Sequence, residues 1–204
     1  QKEKANGFFY KNISGTQDYN SSYQNFILSS GLKFNKIEIN MNLEKERSNC
    51  YILSGLNLGK EEHQEIKTQI NHISPNCKSY QKIKNVLESG SRGVYQGKIF
   101  VKDVAQKTNA YQLSKGLILD ENSEFNTKPE LEIYADDVKC SHGSTSGNID
   151  KDALFYLKAR GIHEKEAIKM IISGFLESVL KNIKNREILQ ILLNHFNKHI
   201  EYES

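Results

Sequence analysis

Apolar and polar residues alternate with period two through much of the first three-quarters of the chain. Ile37, Ile39 and Met41 alternate with Glu38, Asn40 and Asn42; Ile99 and Val101 flank Phe100; and Leu131, Ile133 and Ala135 alternate with Glu132 and Tyr134. Successive side chains of a strand point to opposite faces, so each stretch reads as a half-buried strand. Turn signals at Ser54-Gly55, Ser74-Pro75-Asn76, Ser89-Gly90-Ser91 and Tyr95-Gln96-Gly97 punctuate them. No intervening segment reads as a helix able to cross over a doubly wound sheet. A sandwich, a barrel and a parallel β-helix all fit, and no strict internal repeat chooses among them.

The period then changes. Eleven of the 13 glycines and both prolines lie at or before Gly147, and the long helical patterns follow it. This places a boundary near Asn148 to Asp150, dividing the chain into a β region (1–148) and a helical region (149–204). Asp150 is the expected N-cap of a first helix running through Ala153 to Leu157, with Asp152 in its first turn and Gly161 as its stop. Ile168, Ile171, Ile172, Phe175, Val179 and Ile183 recur at three- and four-residue spacing, predicting a second helix with Lys181 and Lys184 in its last turn. A third places Ile188, Leu192, Phe196 and Ile200 on one face, with Asn185 as its cap. These stripes read as packing against the β region or one another, or in part as a surface that docks a partner.

Composition narrows the function classes. With 204 residues the chain is long enough for a sizeable core, and no apolar run approaches the ~20 residues of a membrane span. We therefore expect a soluble protein without a membrane role. The net charge is +3, and only four of the 28 basic residues are Arg, namely Arg47, Arg92, Arg160 and Arg186. Arg supplies most bidentate contacts to phosphates and bases, so nucleic-acid reading is not expected. Cys50, Cys77 and Cys140 are odd in number and widely spaced, with no CxxC. Neither a disulfide framework nor a closed zinc site follows, and a reducing cytoplasmic setting does.

The most suggestive local chemistry is Cys140-Ser141-His142. If the strand from Leu131 continues through Val138, the thiol and imidazole share a face, with Cα atoms about 6 to 7 Å apart. A protonated imidazole there would favour the thiolate, the form that ligates soft metals. Two ligands do not complete a metal site, so others must come from elsewhere in the chain, from solvent or from a second protein. Asp136 and Asp137 read as a solvated strand end, His72 as a core histidine, and the His195/His199 pair as surface, because it lacks the Glu of a zinc-protease motif. No phosphate loop or dinucleotide fingerprint is present. Gly143-Ser144-Thr145-Ser146-Gly147 carries Thr where a nucleophile elbow needs Ser.

Longer stretches carry a resemblance. Ala105-Gln106-Lys107-Thr108-Asn109-Ala110-Tyr111-Gln112, the run from Asn126 to Gly143 (NTKPELEIYADDVKCSHG) and Leu154-Phe155-Tyr156-Leu157-Lys158-Ala159-Arg160-Gly161 resemble the SufB/SufD family of iron–sulfur cluster assembly scaffolds. His72 to Cys77 and Ser91 to Ile99 are similar to it as well, so the likeness covers roughly residues 25 to 183. Cys-Ser-His-Gly after Asp-Asp-Val-Lys resembles the SufD branch, since SufB proteins usually carry a Glu-His-Glu type sequence there.

The resemblance implies a mainly β fold with some α structure, a right-handed parallel β-helix followed by a C-terminal helical region. SufD-like chains are about twice this length, so early rungs and an N-terminal helical region are expected to be missing. It implies a scaffold and not an enzyme, pairing with a SufB-like scaffold and binding a SufC-like ABC ATPase, with a homodimer as the form in isolation. Cys140 and His142 align with positions implicated in cluster building at the subunit interface. Iron or a transient iron–sulfur cluster there is the one cofactor implied. Leu154, Phe155, Tyr156, Arg160, Gly161, Ile168 and Phe175 fall in the region that would contact the ATPase. Two other readings stand beside this one: a purely architectural β-helix adaptor, and a polysaccharide-active β-helix enzyme, which would need a cleft of exposed carboxylates.

Overall fold

The computed structural model of the chain describes residues 5–183 and 185–199; at 5, 6, 182 and 195–199 the description is of the backbone alone. Ten strands follow one another: β1 (Ala5–Gln17), β2 (Ser22–Ser30), β3 (Leu32–Leu43), β4 (Asn49–Leu58), β5 (His63–His72), β6 (Lys78–Leu87), β7 (Arg92–Val101), β8 (Asn109–Ile118), β9 (Glu124–Ile133) and β10 (Lys139–Asn148). The odd-numbered strands form one sheet in the order β1-β3-β5-β7-β9, and the even-numbered strands form the other, β10-β8-β6-β4-β2. Every pair is parallel. The chain visits the two sheets alternately and advances one strand per circuit, giving a parallel β-solenoid of about five turns. Sandwich and barrel are thereby excluded.

The pairing is in register, so inward residues form columns. Ile37, Ile66 and Tyr95 stack in one column, and Met41, Ile70, Ile99 and Leu131 in another. Opposite them Ile52, Leu56 and Leu58 close the interior from β4, and each is fully buried. Burying one such side chain contributes about 2 kcal/mol, which is why period-two alternation holds in strands spanning this core.

Two sequence signals for turns instead mark the inside of strands. Gly97 lies within β7, and a methyl group there would collide with the Tyr95 hydroxyl and the Gln112 amide. Tyr95 is fully buried; its hydroxyl donates to the Gln side chains of β6 and β8, with Gln81 Oε1 at 3.2 Å and Gln112 Oε1 at 3.3 Å. Gly55 likewise sits inside β4, in register with Lys84. The corners fall elsewhere. Asn20, Arg47, Asn76 and Lys107 each adopt positive φ where the chain passes from the first sheet to the second. For Arg and Lys this conformation costs about 1 kcal/mol, offset by corner-to-corner hydrogen bonds such as Asn76 N to Gln106 O at 2.9 Å.

Three helices and a short 3₁₀ turn follow β10. The helix α1 (Lys151–Ala159) is capped as expected, with Asp150 Oδ1 accepting from the amides of Asp152 and Ala153, and Gly161 at φ 83° ends it. The helix α2 (Glu164–Glu177) is shorter than its apolar stripe predicts. It ends at Ser178, and the chain turns through Leu180–Asn182, so Lys181 lies beyond the helix. The reason is local: Lys84 Nζ donates to Phe175 O at 2.8 Å and to the Ser178 hydroxyl, and Lys82 Nζ donates to Ser178 O at 2.7 Å. These lysines take the terminal carbonyls that a further helical turn would have used, where positive charge favours the helix dipole. The helix α3 (Arg186–His199) is capped by Asn185. Of its predicted stripe, Ile200 and the Phe196 side chain lie outside the described residues, as do Lys184 and the His195 and His199 side chains.

The helices cover the outer face of the even-numbered sheet. Ile168, Ile172, Leu176, Val179 and Leu180 form a second core with Val86 and Leu117. Among the described residues, no helix is long and apolar enough to cross a membrane.

His72 reports on the integrity of the interior. It is fully buried, its Nε2 lies 2.9 Å from Ser79 Oγ, and burial depresses its pKa to about 4. An unfolded histidine binds a proton near 6.5, so the associated stability is complete above that value and is lost as pH falls toward 4. Unfolding by urea at a series of pH values should show a loss of roughly 3 kcal/mol across this window from His72. The His72→Gln variant should lack this component; parallel pH profiles for variant and parent would refute it.

Candidate functional site

The strand expected to run from Leu131 through Val138 stops at Ile133. Residues 134–138 turn a corner, fixed by Tyr134 N to Val101 O at 2.9 Å and Lys107 N to Asp137 O at 2.6 Å. Asp136 and Asp137 are exposed on this corner, and Asp137 N donates to Gln106 Oε1 at 2.9 Å. Cys140 and His142 therefore belong to β10, in the other sheet from Leu131. Their shared face survives the correction, because both are on one strand two positions apart.

Register decides which face that is. Cys140 pairs with Ala110 and His142 with Gln112, both buried and inward-facing on β8. Cys140 packs against the cluster of Ile99, Val101, Ala105, Ala110 and Ala135. His142 stands in the column that holds Ile52, Gln81 and Gln112 in earlier turns. Since β9 and β10 are terminal in their sheets among the described residues, this inward face is uncovered. His142 is exposed and Cys140 half-buried, whereas their register partners are buried.

The same period-two reading continues to Ser144, which sequence reasoning assigned only to a glycine-flanked run. Ser144 Oγ accepts from Ser114 at 3.0 Å and lies 2.6 Å from Thr127 Oγ1, closing the terminal turn between the two sheets. Cys140, His142, Ser144 and Thr127 thus line one open end of the solenoid. The signal that could have found Thr127 is its place in the inward column of Ile37, Ile66 and Tyr95, invisible until register is known.

Electrostatics correct one expectation. Burial pushes the Cys140 thiol pKa up, with a backbone contact at Ala110 offsetting part of the rise, so His142 does not make the thiolate the resting form. Burial takes Cys50 further, to about 12. All three cysteines are free, and Cys140 is the one that is not buried. Among the described residues no cluster of three or more His, Cys, Asp or Glu could hold a metal ion. Cys140 and His142 remain an incomplete ligand pair.

The residues of the helical region divide by exposure. Phe155 is 74% exposed and Tyr156 57%, and the Arg160 guanidinium lies over the Tyr156 ring at 5.0 Å. Gly161 follows at the surface. Leu154 is half-buried at the edge of the second core, Ile168 is inside it, and the Phe175 ring packs beneath Lys84 Nζ at 4.1 Å. Of these seven residues, Phe155, Tyr156, Arg160 and Gly161 are the exposed ones.

On the outer face of the odd-numbered sheet, carboxylates pair with lysines. Glu132 is held below the usual carboxylate range by Lys98, Glu130 by Lys128, and Glu38 by the Tyr10 hydroxyl and Lys36. A glycosidase acid needs its pKa raised, so these carboxylates give the polysaccharide reading no support.

Residues 1–175 match the family model described as SUF system FeS cluster assembly, SufBD core domain. The chain is 30% identical over 183 residues to an iron–sulfur cluster assembly SufBD family protein of Synechocystis, covering 90% of this chain and 40% of that protein. It is 38% identical over 134 residues to the iron–sulfur cluster assembly protein SufD of Escherichia coli, covering 66% and 32% respectively. With SufB of Bacillus subtilis the identity is 31% over 125 residues, covering 61% and 27%. The chain thus spans less than half the length of these relatives. The chain, a parallel solenoid whose last described turn carries Cys-Ser-His-Gly, with helices laid along one sheet, belongs to the SufB/SufD family of the SUF iron–sulfur cluster assembly system.

Proposed function

We propose that this protein is a scaffold subunit of the SUF machinery that pairs with a SufB-like chain, binds a SufC-like ATPase and contributes Cys140 and His142 to the handling of iron, sulfur or the nascent cluster. The observation that carries this reading is the uncovered inward face of the terminal turn. There a thiol and an imidazole stand side by side with too few neighbours to complete a site. A partner abutting the β9–β10 end would supply the missing ligands and cover the exposed edge in one step. The iron–sulfur cluster is then cargo of a composite site and not a resident group of this chain.

The part played by each side chain follows from its surroundings. Cys140 binds a soft metal or sulfur only after losing its proton, which burial opposes in the isolated chain. A cation arriving at the thiol, or a basic group from the partner, would offset that cost, so the site would become reactive on assembly. His142, exposed on the same face, offers a nitrogen ligand or accepts the released proton. The scaffold itself performs no ATP chemistry; hydrolysis belongs to the ATPase partner. The exposed aromatic pair Phe155 and Tyr156 on α1, beside Arg160, has the composition of an interface hot spot and supplies the docking surface. The three free thiols are in keeping with a reducing, cytoplasmic setting.

Cluster transfer to an apo-acceptor, measured with the full-length subunit in complex with its partners, should fall at least tenfold in Cys140→Ser and in His142→Ala while the complex still assembles. Normal transfer by both variants would leave the purely architectural adaptor as the reading.

Replacing Phe155 and Tyr156 by Ala should weaken ATPase association at least tenfold in size-exclusion chromatography with light scattering. The site substitutions should not affect that association. Both aromatics are exposed, so alkylation of a single thiol per native chain, at Cys140, serves as the check that the fold is intact. Unchanged association would exclude α1 as the docking surface.

A further inference from the structure

A groove of about 940 Å³ runs between the outer face of the even-numbered sheet and a wall that includes Lys181, Ile183, Asn185, Ile188 and Leu192. It lies on the opposite side of this sheet from the inward-facing Cys140 and His142. Its floor is a register column, Tyr51, Tyr80 and Tyr111, contributed by β4, β6 and β8. The Tyr80 and Tyr111 rings stack at 5.5 Å between centroids with an interplanar angle of 24°, so the column presents ring edges and hydroxyls to the groove in place of ring faces. Ile183, Ile188 and Leu192 form an apolar wall above it. Ile188 is 50% exposed although it lines a concave surface.

The charge of the groove has one sign. Among the described residues, its charged lining residues are Lys78 on the floor and Lys181 on the wall, and no carboxylate lines it. Just beyond its edge lie more lysines. Lys181 and Lys115 act on Lys82 and Lys84, which burial and this mutual repulsion hold below the ordinary lysine range, Lys84 at about 8. Lys82 and Lys84 are engaged with the carbonyl end of α2, whereas Lys78 and Lys181 have no ion-pair partner among the described residues. A concave site with an apolar wall, a row of hydroxyls and uncompensated positive charge selects for molecules combining apolar surface with negative charge.

We propose that this groove binds an amphiphilic organic anion, a single small molecule with an apolar body and a carboxylate, sulfonate or phosphate head. Ile183, Ile188 and Leu192 cover the body, while Lys78, Lys181 and the tyrosine hydroxyls hold the head. The volume matches one drug-sized molecule, and a recess under the helical wall does not fit a flat bilayer surface. The inference is independent of the cluster-assembly reading, since it uses neither Cys140 nor α1.

The test is fluorescence titration of the chain with 1-anilinonaphthalene-8-sulfonate, an apolar anion, followed by displacement with dodecanoate or with the cation dodecyltrimethylammonium. Saturable binding displaced by dodecanoate and not by the cation is expected, with Lys78→Glu and Lys181→Glu together weakening it at least tenfold. Both lysines are exposed, so the double variant should fold. Phe8→Ser, which removes the 78% exposed aromatic of β1, should leave the affinity unchanged. The proposal is overturned if the lysine variant binds as tightly as the parent, if the cation displaces the probe equally well, if dodecanoate fails to displace it, or if Phe8→Ser abolishes binding.

Discussion

In-register parallel stacking is the constraint on which everything else rests. Each circuit takes about 30 residues, and each strand meets its neighbour with the same positions turned inward, as in Cys50, Ser79, Ala110 and Cys140 on successive strands of the even-numbered sheet. A shift of one residue in any strand would turn its apolar set to solvent and its polar set inward. The columns are therefore fixed jointly. An interior position inherits its neighbours from turns about 30 residues away in either direction, and that is how Cys140 comes to lie over Ala110 and His142 over Gln112.

That dependence explains which parts of the fold were legible. The strands around Ile37 and Ile99 and the caps Asp150, Asn185 and Gly161 could be read locally, because alternation and capping are determined by a few adjacent residues. Gly55 and Gly97 were read as turns because glycine signals both a bend and a close approach. Only the register, which sets Gly97 against Tyr95 and Gln112, tells the two apart. Ser74-Pro75-Asn76 and Ser89-Gly90-Ser91 do mark corners, whereas two others carry Arg47 and Lys107 at positive φ, residue types that give no turn signal. The parallel solenoid itself was reached through family resemblance, since its turns share geometry without sharing letters.

The candidate site was legible as a pair and illegible as a place. Two-residue spacing put Cys140 and His142 on one face whichever strand held them, and the family likeness drew attention to them. That the face is inward follows from the register of β10 on β8, and that it is uncovered follows from β10 being last in its sheet among the described residues. The helical residues show the same split. Periodicity read the stripe holding Ile168 and Phe175 as packing against the β region or another helix, and gave no sign that Phe155 and Tyr156 face away.

The lysine attachment of α2 has a mechanical consequence. Lys82 and Lys84 both rise from β6, the central strand of its sheet, bonded to β4 on one side and β8 on the other. A displacement of the helical region would therefore load the stack at its middle, where the ladder is complete on both sides and stiffest in shear. Within the sheet, strain from these anchors would reach β10 through β8, with each intervening ladder acting as a spring in series. The carbonyl end of α2 is thus pinned to the middle of the stack, while α1 is tied to its end, through Ile149 and Asp150 to β10 and through Leu154 to the second core.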